Sequence, residues 1–154
     1  MTVRYLSGDP LLTQSAYLAF GYNARARSEV GALETALLTR YPAAFASYKR
    51  ASRKGRIKAG TYWLWSDSQP KLLFLAVRLS NVGATRLRYV QAVLLALARD
   101  YRQEGITSLA IARVGNAHEW AEIRRLIDIW LNPIALPVVV YEEYLPNVRA
   151  DEGF

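Results

Sequence analysis

The sequence contains no cysteine and a single histidine, His118, among its 154 residues. Without cysteine the chain can form no disulfide, no thiolate-ligated zinc or iron–sulfur site and no cysteine nucleophile. A single histidine also argues against a Ser-His-Asp triad or a histidine-rich metal site, since both need imidazole groups at defined geometry. We therefore expect neither a bound metal nor a cofactor.

A long apolar segment is also missing. No run approaches the roughly 18 apolar residues that cross a bilayer, and the first residues lack the apolar stretch of a signal peptide. We therefore expect a soluble, cytoplasmic protein that does not associate with membranes. Charged residues make up 21% and apolar residues 52% of the chain, which excludes disorder over most of its length. Without a repeat or a Pro-rich linker, the chain is predicted to form a single domain over residues 1–145, with a flexible tail over residues 146–154.

Acidic residues are scarce in the first part of the chain. Residues 1–90 hold 14 basic and 4 acidic side chains, whereas residues 91–154 hold 6 basic and 9 acidic ones. The densest basic cluster consists of Lys49, Arg50, Arg53, Lys54, Arg56 and Lys58. Such a cluster can follow the phosphate backbone of DNA or RNA, with Tyr48 and the aromatic run 62–65 as a stacking surface. The alternative is a solvated helix end followed by a basic turn.

Apolar periodicity predicts strands that are separated by amphipathic helices. The predicted strands are residues 2–6, 16–20, 62–65, 72–77, 108–112 and 137–141, and the predicted helices are residues 28–41, 43–53, 86–103 and 116–131. Ser28 is the predicted N-cap of the first helix, and Asn116 with Glu119 predicts a capping box. This alternation indicates an α/β domain with helices on both faces of the sheet. Ligands in such domains bind beyond the carboxyl ends of the strands.

Several short segments, taken in order, resemble the macro domains. They are Gly8-Asp9, Arg40-Tyr41-Pro42, the turn 53–60, Arg86-Leu87, the segment 105–110, Glu119-Trp120 and Val140-Tyr141. The chain is most similar to the branch that contains the antitoxin removing ADP-ribose from DNA. The resemblance implies a macro-domain-like three-layer α/β/α fold with a central mixed sheet. It also implies a cleft for ADP-ribose or a related nucleotide.

The resemblance implies ligand-binding residues near both ends of the chain. Asp9, which follows Gly8, matches the carboxylate that accepts a hydrogen bond from the adenine amine, and Tyr141 matches the aromatic residue that packs on adenine. For Asp9 the alternative is an Asx-type turn before Pro10. For Tyr141 the alternative is a tyrosine half-buried at a sheet edge.

The family's first ligand-binding loop matches the segment that follows the second predicted strand. Only Asn23 and Gly31 agree with the family pattern there. Arg25, Arg27 and Glu29 stand where the family carries small residues. The two arginines are candidates to hold a phosphate by charge.

The family's second ligand-binding loop matches Gly115, Asn116 and Ala117 and retains a single glycine. A helix N-terminus capped by Asn116 is a candidate anion site, because backbone N–H groups point outward there. The alternative is an ordinary strand-to-helix turn.

The lysine that the resemblance places after the fourth predicted strand is absent. Ser80 or Asn81 takes its position, and neither can form a Schiff base. Arg78 is near but stays protonated, so it is a poor nucleophile. Glu119 as a base and His118 at the cleft mouth are the remaining weak candidates, along with Asn81. An exposed histidine beside a helix cap is the alternative for His118.

These residues lead us to predict a nucleotide-binding macro-like domain without catalytic activity. Two alternatives stay open. One is residual ADP-ribosyl hydrolase activity on ADP-ribosylated DNA, and the other is a basic domain that binds single-stranded nucleic acid.

Overall fold

Six strands form one sheet that lies between two pairs of helices. The strands are β1 (Val3–Gly8), β2 (Tyr17–Asn23), β3 (Tyr62–Trp65), β4 (Lys71–Arg78), β5 (Leu109–Ala112) and β6 (Val138–Tyr144). The helices are α1 (Ala32–Arg40), α2 (Pro42–Arg53), α3 (Leu87–Asp100) and α4 (Ala117–Leu131), and a 3-10 turn covers Pro10–Leu12. This computed structural model describes residues 3–153, so the predicted strand start at Thr2 lies outside the described residues.

The sheet is mixed, as the resemblance implied. Its strand order is β1-β6-β5-β2-β4-β3. Strands β1, β6, β5, β2 and β4 are parallel to one another, and only the edge strand β3 runs antiparallel. The predicted three-layer α/β/α fold is therefore confirmed. None of the helices within residues 3–153 is long and apolar enough to cross a bilayer.

Strand β4 shows why the central strands are continuous apolar runs. Its residues 72–77 are almost fully buried, because helices cover both faces of the sheet. Leu73 and Leu75 pack in one core with Val93 of α3 and other residues of α3 and α4. Phe74 faces the opposite core, which α1 and α2 cover. Burial of each large apolar side chain contributes about 1.5–3 kcal/mol.

Tyr48 belongs to the second core and not to a surface for stacking bases. It is fully buried, with its ring stacked on Phe74 at a centroid distance of 4.5 Å. Its hydroxyl donates a hydrogen bond to the backbone oxygen of Asn23 at 2.9 Å. The prediction for Tyr48 is wrong because helical spacing from Ala44 places it on the inner face of α2.

The helix starts agree with the sequence in one case and differ in another. The capping box of α4 is present, with Asn116 Oδ1 accepting from the N–H of Glu119 and Glu119 Oε1 accepting from the N–H of Asn116. In contrast, α1 begins at Ala32 with Gly31 at its N-cap, so the predicted cap at Ser28 is wrong.

The chain after β6 is bound to the domain and is not the predicted loose tail. We call residues 145–153 the C-terminal segment. The carboxylate of Glu152 is 7% exposed and accepts hydrogen bonds from Tyr141 Oη at 2.6 Å, Thr13 Oγ1 at 2.5 Å and the N–H of Gln14 at 2.8 Å. Three donors around one buried carboxylate compensate for its lost hydration, and they fix the segment against β6.

Replacement of Glu152 by alanine should therefore destabilise the fold. Glu152→Ala removes a buried acceptor and leaves the buried hydroxyl of Tyr141 without its partner, so we expect a loss of about 2–4 kcal/mol in the free energy of unfolding. Urea denaturation followed by tryptophan fluorescence measures it. The control is Glu143→Ala on the exposed side of β6, which should change the unfolding free energy by less than about 0.5 kcal/mol. Equal effects of the two substitutions would contradict the assigned role of Glu152.

Candidate functional site

A cleft of about 390 Å³ opens at the carboxyl ends of β2, β4 and β5. Parallel strands end at the same edge of a sheet, so the loops that follow them converge there. These are the β2–α1 loop (residues 24–31), the β4–α3 loop (79–86) and the β5–α4 loop (113–116). Gly21, Val77 and Val114 form part of the apolar lining. The cleft thus lies where the strand pattern predicted a ligand site.

Five charged side chains line this cleft. They are the carboxylates of Glu29, Glu34 and Glu119 and the guanidinium groups of Arg78 and Arg113. Glu29 of the β2–α1 loop forms an ion pair with Arg78 at the end of β4. The Glu29 side chain is 7% exposed. It is the most buried carboxylate among the ion pairs within residues 3–153.

Asn23 determines the path of the β2–α1 loop. Its side chain is completely buried; its Oδ1 accepts from the N–H of Arg27 at 3.0 Å, and its Nδ2 donates to the backbone oxygen of Arg27 at 2.8 Å. Nδ2 also donates to Glu29 Oε1 at 2.9 Å. These bonds hold residues 27–29 outside a helix, which is the physical reason why α1 starts later than predicted. Asn23 therefore organises the loop and does not line the cleft.

Arg78 lies at the end of β4 and extends into the cleft. Burial lowers the pKa of its guanidinium, and the nearby charge of Glu119 acts in the opposite direction. An arginine nevertheless stays charged at neutral pH because its ordinary pKa is above about 12. Arg78 therefore brings a partly desolvated positive charge to the cleft wall, with Glu29 as its partner.

Glu119 joins the β4–α3 loop to the β5–α4 loop. Its Oε2 accepts from the N–H of Thr85 at 2.9 Å, while its Oε1 takes part in the capping box with Asn116 at 2.8 Å. Gly115 is required beside it, because its φ is +80° and a Cβ there would lie 2.8 Å from Glu119 Oε1. Both carboxylate oxygens of Glu119 are therefore already engaged by backbone N–H groups.

Some of the residues predicted for the site line the cleft and others do not. Those that line it are Asn81, Gly115, Asn116 and Glu119. Those outside the lining are Gly8, Asp9, Asn23, Arg25, Arg27, Gly31, Ser80, Ala117, His118 and Tyr141. Arg25, Arg27 and His118 are exposed to solvent, and Ser80 Oγ is bonded within its own turn to Val82.

Asp9 is 6% exposed, and both of its carboxylate oxygens are bonded to the backbone. Oδ1 accepts from the N–H of Leu11 at 3.0 Å, and Oδ2 accepts from the N–H of Asn147 in the C-terminal segment at 2.8 Å. The neighbouring Gly8 must lack a side chain, since a Cβ there would lie 2.9 Å from the backbone oxygen of Val148. The structure therefore places Asp9 in the Asx-type turn that the sequence offered as an alternative.

Tyr141 is 2% exposed and donates its hydroxyl to Glu152, so its ring has no free face. Tyr144, three residues later, is half-buried at the end of β6. Burial raises the pKa of Tyr144, and the negative charges of Asp9 and Glu34 add to the effect. Strand β6 pairs Leu6 with Tyr141 and Ser7 with Glu143. The unpaired residue between them is a bulge, which returns Tyr144 to the face that Tyr141 occupies.

Arg78 and Arg113 line the cleft, although the sequence predicts no ligand role for either. Each is the first basic residue after the apolar run of a buried strand. The rule that ligands lie beyond the carboxyl ends of parallel strands was the signal that points to them. Glu34 and Thr85 had no such signal, because their approach to the cleft depends on how α1 and the β4–α3 loop pack.

The six basic side chains of the cluster at residues 49–58 are all exposed. None of them takes part in the ion pairs found within residues 3–153. Ser52 Oγ donates to the backbone oxygen of Ala24 at 2.7 Å, so the basic end of α2 adjoins the β2–α1 loop. Trp63 and Trp65 are half-buried, with their rings stacked at a centroid distance of 6.4 Å.

Within residues 3–153, no group of three or more His, Asp and Glu side chains could hold a metal ion.

Comparison with solved structures identifies the fold. The macrodomain of Thermus aquaticus DarG aligns with a TM-score of 0.83 and 20% identity, over 91% of this chain and 97% of that one. The macrodomain of Mycobacterium tuberculosis DarG aligns with a TM-score of 0.79 and 23% identity, over 94% and 98% of the two chains. Thermosipho africanus DarTG in complex with ADP-ribose aligns with a TM-score of 0.85 and 19% identity, over 97% of this chain and 43% of that one.

The other two comparisons are negative. No protein-family model matches the sequence, and no curated protein matches it. The chain therefore has the macrodomain fold, as its short segments indicated, and the similarity is carried by the structure more than by the sequence.

Proposed function

We propose that the cleft binds ADP-ribose or a related nucleotide. The observation that carries the proposal is the cleft at the carboxyl ends of β2, β4 and β5 on a macrodomain fold, with Arg78 and Arg113 in its wall. Its volume of about 390 Å³ falls within the range of small-molecule sites, about 300–1,000 Å³. One of the structures with this fold, the Thermosipho africanus DarTG, was solved with ADP-ribose.

The guanidinium groups are the cleft's best partners for the phosphates. The N-terminus of α4 contributes less than a free helix end, because Asn116 Oδ1 already accepts from the N–H groups of His118 and Glu119. Arginine forms charge-assisted, often bidentate hydrogen bonds with phosphate. We therefore assign the anionic part of the ligand to the side of the cleft where Arg78 and Arg113 lie.

The adenine is assigned to the neighbourhood of Tyr144. This ring is half-buried at the end of β6, whereas Tyr141 is covered by the C-terminal segment. A half-buried aromatic ring offers an apolar face to a base and keeps its hydroxyl at the solvent boundary. The aromatic role thus moves from Tyr141 to Tyr144.

Closing the cleft with a bulky side chain tests this proposal. Ala84 is exposed and lines the cleft, so Ala84→Trp should fill part of it and weaken ADP-ribose binding by about tenfold or more. The matched control is Ala43→Trp, at an exposed position at the start of α2 outside the lining. Titration calorimetry measures both. No heat from the folded wild-type protein at millimolar ADP-ribose would refute the proposal.

We further propose that the domain binds its ligand without hydrolysing it. Both carboxylate oxygens of Glu119 accept N–H bonds, His118 is exposed outside the lining, and no lysine follows β4 before Arg86. Asn81 lines the cleft, but its amide is neither a nucleophile nor a base. The residues at the cleft therefore favour a reader or sensor over a hydrolase.

The absence of hydrolysis is directly measurable. We expect ADP-ribosylated single-stranded DNA to stay intact when it is incubated with a stoichiometric amount of the protein, because no lysine follows β4 and both carboxylate oxygens of Glu119 are already bonded to N–H groups. Release of free ADP-ribose is followed by liquid chromatography. If ADP-ribose is released and Glu119→Gln abolishes the release, the domain is a hydrolase.

A second candidate function is binding to single-stranded nucleic acid. The exposed basic cluster at residues 49–58, which forms no ion pair within residues 3–153, favours it, together with the stacked pair Trp63 and Trp65 at the edge strand. The hydrogen bond from Ser52 to Ala24 places this cluster beside the loop that borders the cleft. A ligand attached to a nucleic acid could therefore contact both surfaces.

The salt dependence of binding tests the nucleic-acid surface. Lys49→Glu combined with Arg53→Glu should weaken binding to a single-stranded oligonucleotide and reduce the slope of log K against log salt by about 1.4, since each lost phosphate contact contributes about 0.7. Arg88→Glu with Arg125→Glu makes the same change in net charge on exposed positions of the opposite helix layer. Fluorescence anisotropy measures both. An equal loss in the two double variants would show that only net charge matters.

A further inference from the structure

The cleft carries more negative than positive charge. Three carboxylates and two guanidinium groups line it, so its net charge is −1 when all five are ionised. A nucleoside diphosphate adds further negative charge in a partly desolvated space, where like charges repel strongly. A guanidinium without a carboxylate partner would make the cleft more favourable for such a ligand.

Arg78 already has an anionic partner, and that partner belongs to the β2–α1 loop. Glu29 forms an ion pair with Arg78 at the end of β4. The other oxygen of Glu29 accepts from Asn23 Nδ2 at 2.9 Å, which fixes the carboxylate in this position. A carboxylate and a phosphate offer a guanidinium the same pair of oxygen acceptors. Glu29 therefore occupies the position at Arg78 that a ligand phosphate would take.

The other cleft carboxylates do not compete for Arg78 in this way. Both oxygens of Glu119 are bonded to the N–H groups of Thr85 and Asn116. Glu34 belongs to α1 and takes part in none of the ion pairs found within residues 3–153. Glu29 is thus the one carboxylate of the described cleft that blocks a guanidinium by direct contact.

We infer that Glu29 is a resident competitor for the anion site at Arg78, and that a ligand phosphate must displace it from the guanidinium to bind. This inference rests on the proposed function, because it concerns the same cleft. Displacement exchanges one charge-assisted pair for another, so part of the binding free energy is used to separate Glu29 from Arg78. Glu29 therefore lowers the affinity of the cleft and favours ligands with a phosphate that reaches Arg78.

Removal of the Glu29 charge tests the inference. Glu29→Gln keeps the oxygen that accepts from Asn23, so the loop should keep its path while Arg78 is released. We expect ADP-ribose and inorganic pyrophosphate to bind about tenfold more tightly than they bind the wild-type protein. Glu34→Gln removes the same charge from the same cleft without touching Arg78 and should raise the affinity by about twofold at most. Titration calorimetry at fixed salt measures all variants.

The gain must also depend on Arg78. In an Arg78→Gln background, the further change Glu29→Gln should no longer improve binding. The inference is wrong if Glu29→Gln binds no more tightly than the wild type, if Glu34→Gln gives an equal gain, or if the gain persists without Arg78. If Glu29→Gln does not fold, the Nε–H resonance of Arg78 in the wild-type protein serves instead. It should shift and saturate with pyrophosphate, and the absence of a shift would overturn the inference.

The two probes separate this inference from the proposed function. If pyrophosphate shows the expected pattern and ADP-ribose binds to no variant, Glu29 controls an anion site and the nucleotide proposal is wrong. If ADP-ribose binds the wild type and Glu29→Gln leaves its affinity unchanged, the nucleotide proposal is supported and the competitor role of Glu29 is wrong. If neither probe binds any folded variant, both are wrong.

Discussion

The side-chain amide of Asn23 is the interaction on which the cleft depends. It lies at the end of the central strand β2, where it is completely buried and bonds both to the backbone of Arg27 and to Glu29. Glu29 in turn reaches Arg78 at the end of β4. One buried amide therefore sets the path of the β2–α1 loop, and that path brings Glu29 to Arg78. A buried amide without hydrogen-bond partners destabilises a fold, so other paths of the β2–α1 loop that leave Asn23 unbonded are disfavoured.

Polar groups that the family resemblance assigned to a ligand are used within the chain instead. Asp9 and Tyr141 bond to the C-terminal segment, and Asn116 with Glu119 closes the capping box of α4. The fold is kept, while the acceptors and donors expected to face a nucleotide already have protein partners. The charged groups that line the cleft are two guanidinium and three carboxylate groups.

The predictable parts of the fold are those that local patterns control. The apolar runs of β3, β4 and β5 predicted strands within a residue or two, and the Asn116–Glu119 spacing predicted the start of α4. The start of α1 was not predictable from Ser28, because the side chain of Asn23 competes for the backbone of the following loop. The face on which Tyr144 lies was not predictable for a related reason: the bulge in β6 changes which residues share a face, and no local signal marks it.

The sequence by itself determined a cysteine-free α/β domain, the positions of its strands and most of its helices, and the edge of the sheet where a cleft would form. Hydrophobic periodicity and capping act within a few residues, so a single chain segment contains that information. Only the tertiary structure decided that Glu29 pairs with Arg78 and that Glu152 covers Tyr141. These pairs join residues 49 and 11 positions apart, and their geometry exists only after the sheet has brought the strand ends together.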